Sequence, residues 1–216
     1  GTSTVVFAAN GTLTTPGAFN SAYLYNLTVN NTITLTLAAH TGAANDTIIG
    51  GAGGGTIAES GGHYRFTVND DFSVGAGVTG ITSSLYYSGG AARTLPAITY
   101  GGLAMDGGAI TAATGTITVN TNEAAGGASY SFYLNTTLNL GTSTLTFTGV
   151  TGPLLVELSG IFIASSGIVN AINVQVNNGG YITSTAGGSW TVTGTWTNLA
   201  TSASWSFAAP ITFNSA

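Results

Sequence analysis

The feature that most constrains the fold is a strict alternation of apolar side chains with threonine or asparagine, recurring in short runs from one end of the chain to the other. Leu27-Thr28-Val29, Ile33-Thr34-Leu35-Thr36-Leu37, Thr116-Ile117-Thr118-Val119 and Thr144-Leu145-Thr146-Phe147 are examples, and so are Ile172-Asn173-Val174-Gln175-Val176 and Trp190-Thr191-Val192-Thr193. Successive side chains of a strand point to opposite faces, so such runs bury one face and expose the other. Gly, Asn or Asp closes nearly every run, which is the punctuation of tight turns between short strands. Helix-forming Leu, Glu, Gln and Lys are sparse, and the reading is an all-β chain.

Charge narrows the function classes. The 216 residues contain two arginines, Arg65 and Arg93, no lysine, no cysteine and seven acids, for a formal net charge of −5. A freely soluble surface is normally about a quarter to a third charged. Here most of the surface must be covered, neutral-polar or carbohydrate-coated. Two arginines give almost none of the counterion release that nucleic-acid binding rests on, so that partner class is excluded. The most apolar stretch, residues 153–176, is interrupted by Glu157 and several Asn, Ser and Gly. It falls short of the roughly 18 continuous apolar residues of a membrane span. The chain opens Gly1-Thr2-Ser3 without methionine, a form shared by secreted chains after leader removal and by trimmed chains. Together these features set the expectation of an extracellular or cell-surface location. Without cysteine or lysine, neither disulfide nor lysine isopeptide staples can form, so durability rests on packing and assembly.

Above the alternation lies a looser recurrence, an apolar or aromatic strand running into an Asn or Asp turn. The turn residues Asn30, Asn69, Asp106, Asn135 and Asn177 are separated by 39, 37, 29 and 42 positions. Pairs of β-solenoid coils give intervals of this size, and so do hairpins with their return strands in a sandwich. Segments such as Tyr25-Asn26-Leu27-Thr28-Val29-Asn30-Asn31 and Trp190-Thr191-Val192-Thr193-Gly194-Thr195-Trp196-Thr197-Asn198 resemble the Thr/Gly/Asn-rich repeats of bacterial surface adhesins and autotransporter passengers. The resemblance implies a right-handed parallel β-helix displayed outside the cell, and it carries no catalytic signature. The expectation is a single all-β domain over residues 1–216, a β-solenoid in preference to a β-sandwich with donor-strand exchange.

Candidate chemistry is thin. N-x-Ser/Thr sequons at Asn10, Asn26, Asn30, Asn45 and Asn135 are acceptors for glycans in a secreted protein. The run Asn45 to Ile57 resembles one degenerate unit of a calcium-binding nonapeptide roll. Its only carboxylate is Asp46, and one such unit falls short of the six to eight oxygens calcium takes, so no metal and no cofactor is expected. Asp70 and Asp71 are the only adjacent acids. With Asp106 they are the group a polysaccharide-degrading β-helix would need to converge in a groove, although turn capping explains them without catalysis. His40 and His63 fall in no metal or triad spacing, and no catalytic residue is expected. Trp190, Trp196 and Trp205 are either a sugar-stacking platform or core.

The leading expectation is a structural subunit that associates with copies of itself into a filament or surface array. Neutral strands leave edges able to pair with another chain, and the charges that normally protect an edge are nearly absent. Val5, Val6 and Phe7, apolar and followed by the turn signal Asn10-Gly11, mark residues 1–10 as the donor or edge strand. The alternatives are a carbohydrate-binding surface adhesin and, below it, a β-helical polysaccharide-degrading enzyme.

Overall fold

The computed structural model describes residues 3–14, 23–38, 41–43, 46–60, 65–120, 123–125, 128–149, 152–201 and 204–214. Among them there is no helix, and short strands stack in parallel into a three-faced β-solenoid. This settles the two expected architectures in favour of the solenoid, because a sandwich would need antiparallel hairpins throughout. Among the described strands the one antiparallel pair is a small hairpin, Glu123–Ala125 with Ala128–Tyr130, inserted into a single turn.

Each turn visits three faces in the same order. A long face stacks nine strands in one continuous sheet, from Tyr23–Leu24 at the N-terminal end to Trp196–Asn198 at the C-terminal end. The second face carries four strands, from Thr4–Phe7 to Phe72–Val74, and then a separate sheet of six, from Arg93–Leu95 to Trp205–Phe207. The third face carries three strands, from Gly11–Leu13 to Thr56–Glu59, followed by six from Thr99–Tyr100 to Ile211–Phe213.

Stacking in register turns the alternation into columns. Leu85 pairs with Leu103, Leu103 with Phe132, Phe132 with Leu154 and Leu154 with Val174, so one apolar column runs up the inside of the long face. Threonines at the intervening positions line the outside, for example Thr118 beside Thr146. The buried set includes Leu27, Leu35, Ile57, Phe66, Leu85, Phe132, Phe162 and Trp190. Inside the C-terminal half the aromatics touch edge to face: Phe132 with Phe162 at 6.4 Å, Phe162 with Trp190 at 5.6 Å and Trp190 with Phe207 at 5.5 Å between ring centroids. This is the preferred geometry for aromatic pairs.

The irregular spacing of the Asn/Asp turns has a simple origin. Asn69, Asp106, Asn135 and Asn177 each follow a long-face strand and share one corner of the solenoid. Ser88 and Glu157 occupy the same corner on the turns between, so the intervals of 37 and 42 are two turns each. The interval of 29 is one turn plus the inserted hairpin, and Asn30 belongs to a different corner, after the second face. Along the shared corner the side chains bond from turn to turn. Asn135 donates to Asp106 at 2.7 Å, Asn177 donates to Glu157 at 2.7 Å, and Ser88 donates to Asn69. The corners hold other such steps: Thr34 N–H donates to Asn10 Oδ1 at 2.8 Å and Gly53 N–H to Asn31 Oδ1 at 2.8 Å. Asparagine suits this position because its amide offers donor and acceptor together to the rungs above and below.

A seam divides the stack. In the turn of Phe72–Val74, residues 75–83 make no third-face strand, only an isolated bridge between Gly80 and Thr99. On the second face the sheet ending at Phe72–Val74 does not bond to the one starting at Arg93–Leu95, leaving a cleft of about 410 Å³ lined by Phe72, Val74, Val78, Thr94 and Pro96 among others. Only the long face crosses this level as continuous sheet. Arg93, 5% exposed, fastens it. Its guanidinium donates to the carbonyls of Asn69 at 3.0 Å, Ala91 at 3.2 Å and Val68 at 3.4 Å and lies 5.3 Å from the Tyr87 ring centroid. Burial pushes its pKa down, and Tyr87, Asp70 and Asp71 push it back up. Close backbone approach on the N-terminal side of the seam explains the glycines there: a Cβ on Gly77 would sit 2.2 Å from the Ala52 carbonyl oxygen.

Candidate functional site: the open ends of the solenoid

The two ends of the stack are where main-chain bonding and core packing stop. At the C-terminal end Trp196–Asn198, Trp205–Phe207 and Ile211–Phe213 are each paired on one edge only among the described residues. Their inward side chains form an apolar cup of about 220 Å³ lined by Trp196, Trp205, Phe207, Ile211 and Phe213. Trp205 is 44% and Phe213 58% exposed. Trp196 packs between them and the core, 5.6 Å from Trp190 and 6.2 Å from Trp205 between ring centroids. The aromatic series inside the solenoid therefore runs out into solvent.

At the N-terminal end, Thr4–Phe7 pairs with Asn26–Val29 in parallel, Val5 on Leu27 and Phe7 on Val29, and its other edge is free among the described residues. Val5 and Phe7 are half-buried and Val6 is 53% exposed. Of the expected donor or edge segment 1–10, the described part contains this one strand of the second face. The segment is the first strand of its own sheet, held by main-chain bonds, and what it offers is an edge. Beside it Gly11–Leu13 pairs with Thr34–Leu37 and likewise has one free edge.

Charge is distributed against these ends. Every Asp, Glu and Arg of the chain lies between Asp46 and Glu157, and residues 1–45 and 158–216 contain none. The charges in the middle are used locally. Arg93 serves the seam. The Arg65 guanidinium stacks 4.2 Å from the Tyr86 ring centroid. Asp106 accepts from Tyr86 Oη at 2.9 Å with one carboxylate oxygen and from Asn135 with the other. Burial, with the Asp106 bond next, holds the Tyr86 hydroxyl above the ordinary tyrosine range.

The other sequence candidates separate. Trp190 is 1% exposed in the core and Trp196 is half-buried, so the three tryptophans do not form a sugar-stacking row on a side face. Asp71 lends its carbonyl to Thr47 N–H at 2.8 Å as part of a corner, and with Asp70 it supports the charge of Arg93. Asp106 is bound into the corner by Tyr86 and Asn135, and none of the three aspartates lines the seam cleft or the C-terminal cup. Asp46 donates its backbone N–H to Asn26 Oδ1 at 3.2 Å, and among the described residues no cluster of three or more His, Cys, Asp or Glu is placed to hold a metal. The glycine run after it is a corner, with Gly50, Gly54 and Gly55 at φ of 65°, 93° and 146°, a conformation that favours glycine without any ion. Of the sequons, Asn10 and Asn30 are exposed. Asn26 and Asn135 spend their side-chain N–H groups on Thr4 and Asp106. Asn45, His40 and His63 lie outside the described residues.

Sequence reasoning missed Phe207, Ile211 and Phe213 as part of a site. The available signal was the uncharged stretch after Glu157 in combination with its closely spaced aromatics. Among the described residues no helix is long and apolar enough to cross a membrane. Comparison with protein-family models, with curated proteins and with solved structures returned no match.

Proposed function

We propose that this protein is an extracellular structural subunit that self-assembles into a filament or surface array through the strand edges at the ends of its solenoid. The observation that carries the reading is the conjunction of open edges, an exposed aromatic cup and the absence of any charged side chain in the terminal stretches of the chain. Natural sheet proteins protect open edges with charge, proline or covering loops, because an unprotected edge templates pairing with another chain. Here the charges are kept to the middle, where they serve corners and the seam. An edge contact of this kind supplies main-chain hydrogen bonds, and its in-register side chains bury apolar surface.

Sedimentation velocity of the purified chain over a range of protein concentrations tests this. Growth of high-mass species with concentration, largely unchanged between low and high salt because few charges are involved, is the expected result. A single species at monomer mass throughout overturns the reading.

A further inference from the structure

The self-assembly reading leaves open which end meets which, and this inference rests on that reading. Two segments 200 positions apart are built alike. Val5-Val6-Phe7-Ala8-Ala9-Asn10-Gly11-Thr12-Leu13 and Trp205-Ser206-Phe207-Ala208-Ala209-Pro210-Ile211-Thr212-Phe213 share Phe-Ala-Ala and a later Thr at identical spacing. Both run from a second-face strand around a corner into a third-face strand. One forms the first rung of the stack and the other forms the last rung on those two faces.

We infer that the C-terminal end of one copy accepts the N-terminal end of a second copy, head to tail, as the next rung of the same solenoid. Thr4–Phe7 of the upper copy lies on Trp205–Phe207 of the lower, and Gly11–Leu13 on Ile211–Phe213. The equal spacing puts inward residues above inward residues: Val5 over Trp205, Phe7 over Phe207, Gly11 over Ile211 and Leu13 over Phe213. Inward orientation follows from the register inside each copy, where Val5 and Phe7 pair with buried Leu27 and Val29, and Ile211 and Phe213 pair with buried Trp190 and Val192. Val5, Phe7 and Leu13 then close the cup. The outward residues Val6 and Ser206, both exposed, become direct neighbours. Among the described strands every solenoid pairing is parallel, and stacking head to tail is the arrangement that keeps the strands parallel across the joint. A two-fold, tail-to-tail contact would set them antiparallel. Because the contact is heterologous and directed along the stack axis, it propagates without closing. The pairing covers the second and third faces and leaves the rung above Trp196–Asn198 on the long face unsupplied.

The chain has no cysteine, which makes cross-linking a clean test. Neighbours across a parallel pair lie at about 4.8 Å, inside the Cα separation a disulfide requires. Val6 and Ser206 of one copy stand at opposite ends of the stack, out of reach of each other. The variant carrying both Val6→Cys and Ser206→Cys, oxidised under mild conditions, is expected to give a ladder of covalent oligomers joined only by 6–206 bonds, read by non-reducing electrophoresis and peptide mapping. Each single variant should give no ladder. Covalent dimers from Ser206→Cys alone, joined 206–206, overturn the head-to-tail inference in favour of a tail-to-tail contact. High-mass species in sedimentation without 6–206 bonds also overturn it, while leaving self-assembly intact. If sedimentation of the wild-type and double-variant chains shows monomer only and no ladder forms, both readings fall.

Discussion

The middle of this solenoid and its two ends are made of the same alternating strands but are treated oppositely by charge. Between Asp46 and Glu157 each arginine and several acids have defined partners: Arg93 ties down carbonyls across the seam, Arg65 lies on Tyr86, and Asp106 takes bonds from Tyr86 and Asn135. Outside that span there is no charged side chain, although the edges there are open and the aromatic core reaches solvent. The difference teaches that the few charges are placed at corners and the seam within the stack, not where it stops. In a chain selected to remain alone, the ends are where edge-protecting charge would be most useful.

Substitutions sharpen this contrast, and the largest effect belongs to the core. Trp190→Ala removes the indole that joins Phe162, Trp196 and Phe207 and should cost about 3–5 kcal/mol in urea unfolding. Trp190→Phe should cost far less, since the indole N–H is buried with no partner among the described residues and its removal relieves a penalty of about 1–3 kcal/mol.

At the seam, Arg93→Met takes the guanidinium donor from the carbonyls of Ala91 and Asn69, while that of Val68 keeps its bond from Ser88 N–H, and should cost about 2–3 kcal/mol. Arg93→Lys should recover little, because a single ammonium cannot span three acceptors as the planar fork does. Hydrogen exchange should locate the loss at Phe72–Val74 and Arg93–Leu95. Equal loosening at both ends of the stack would break the assignment of Arg93 to the seam.

A smaller effect is expected from alkali. Burial raises the hydroxyls of Tyr87 and Tyr100 above the ordinary tyrosine range, Asp71 adding to it for Tyr87 and Tyr87 for Tyr100. Unfolded tyrosines ionise near pH 10, while the folded ones hold their protons beyond that. Stability is then fully present below about pH 10 and falls as pH rises above it, because the unfolded state binds fewer protons there. Circular dichroism should show cooperative loss of structure coincident with tyrosinate absorbance. Free titration of all tyrosines with the fold intact would contradict their burial.

Smallest in its effect on the fold is a charge at the end. Trp205→Asp should change the stability of a single chain by about 1 kcal/mol or less, as expected of an exposed position, yet abolish concentration-dependent growth. Asp at Thr118, outward on a paired strand between two others, should leave growth unchanged. Equal loss of growth from both would move the joining surface to a side face.

Much of the fold was legible because alternation is a local property: Leu27-Thr28-Val29 and Thr144-Leu145-Thr146-Phe147 each declare which side chains face inward. What alternation cannot give is which strand stacks on which. The irregular Asn intervals obscured the solenoid because Ser88 and Glu157 fill two rungs of one corner with different chemistry, and because the inserted hairpin stretches one turn. The seam was invisible, since Arg93 meets Val68 and Asn69 across 25 and 24 residues of chain. At the ends, the strand holding Val5, Val6 and Phe7 was legible from its apolar, β-branched residues ahead of Asn10-Gly11. The C-terminal edge at Trp205–Phe207 and Ile211–Phe213 was not, because which strand ends a stack depends on pairing from turn to turn, which no local run of residues declares.

The central claim is that the ends are the joining surfaces, and electron cryomicroscopy of the assembled protein tests it most directly. The four and then six strands of the second face, at about 4.8 Å per rung, give a head-to-tail axial repeat of about 48 Å. The predicted result is single filaments one solenoid wide with that repeat and continuous sheet across each joint. Assemblies joined through the side faces of the solenoid, or separate particles of one chain each, would contradict it.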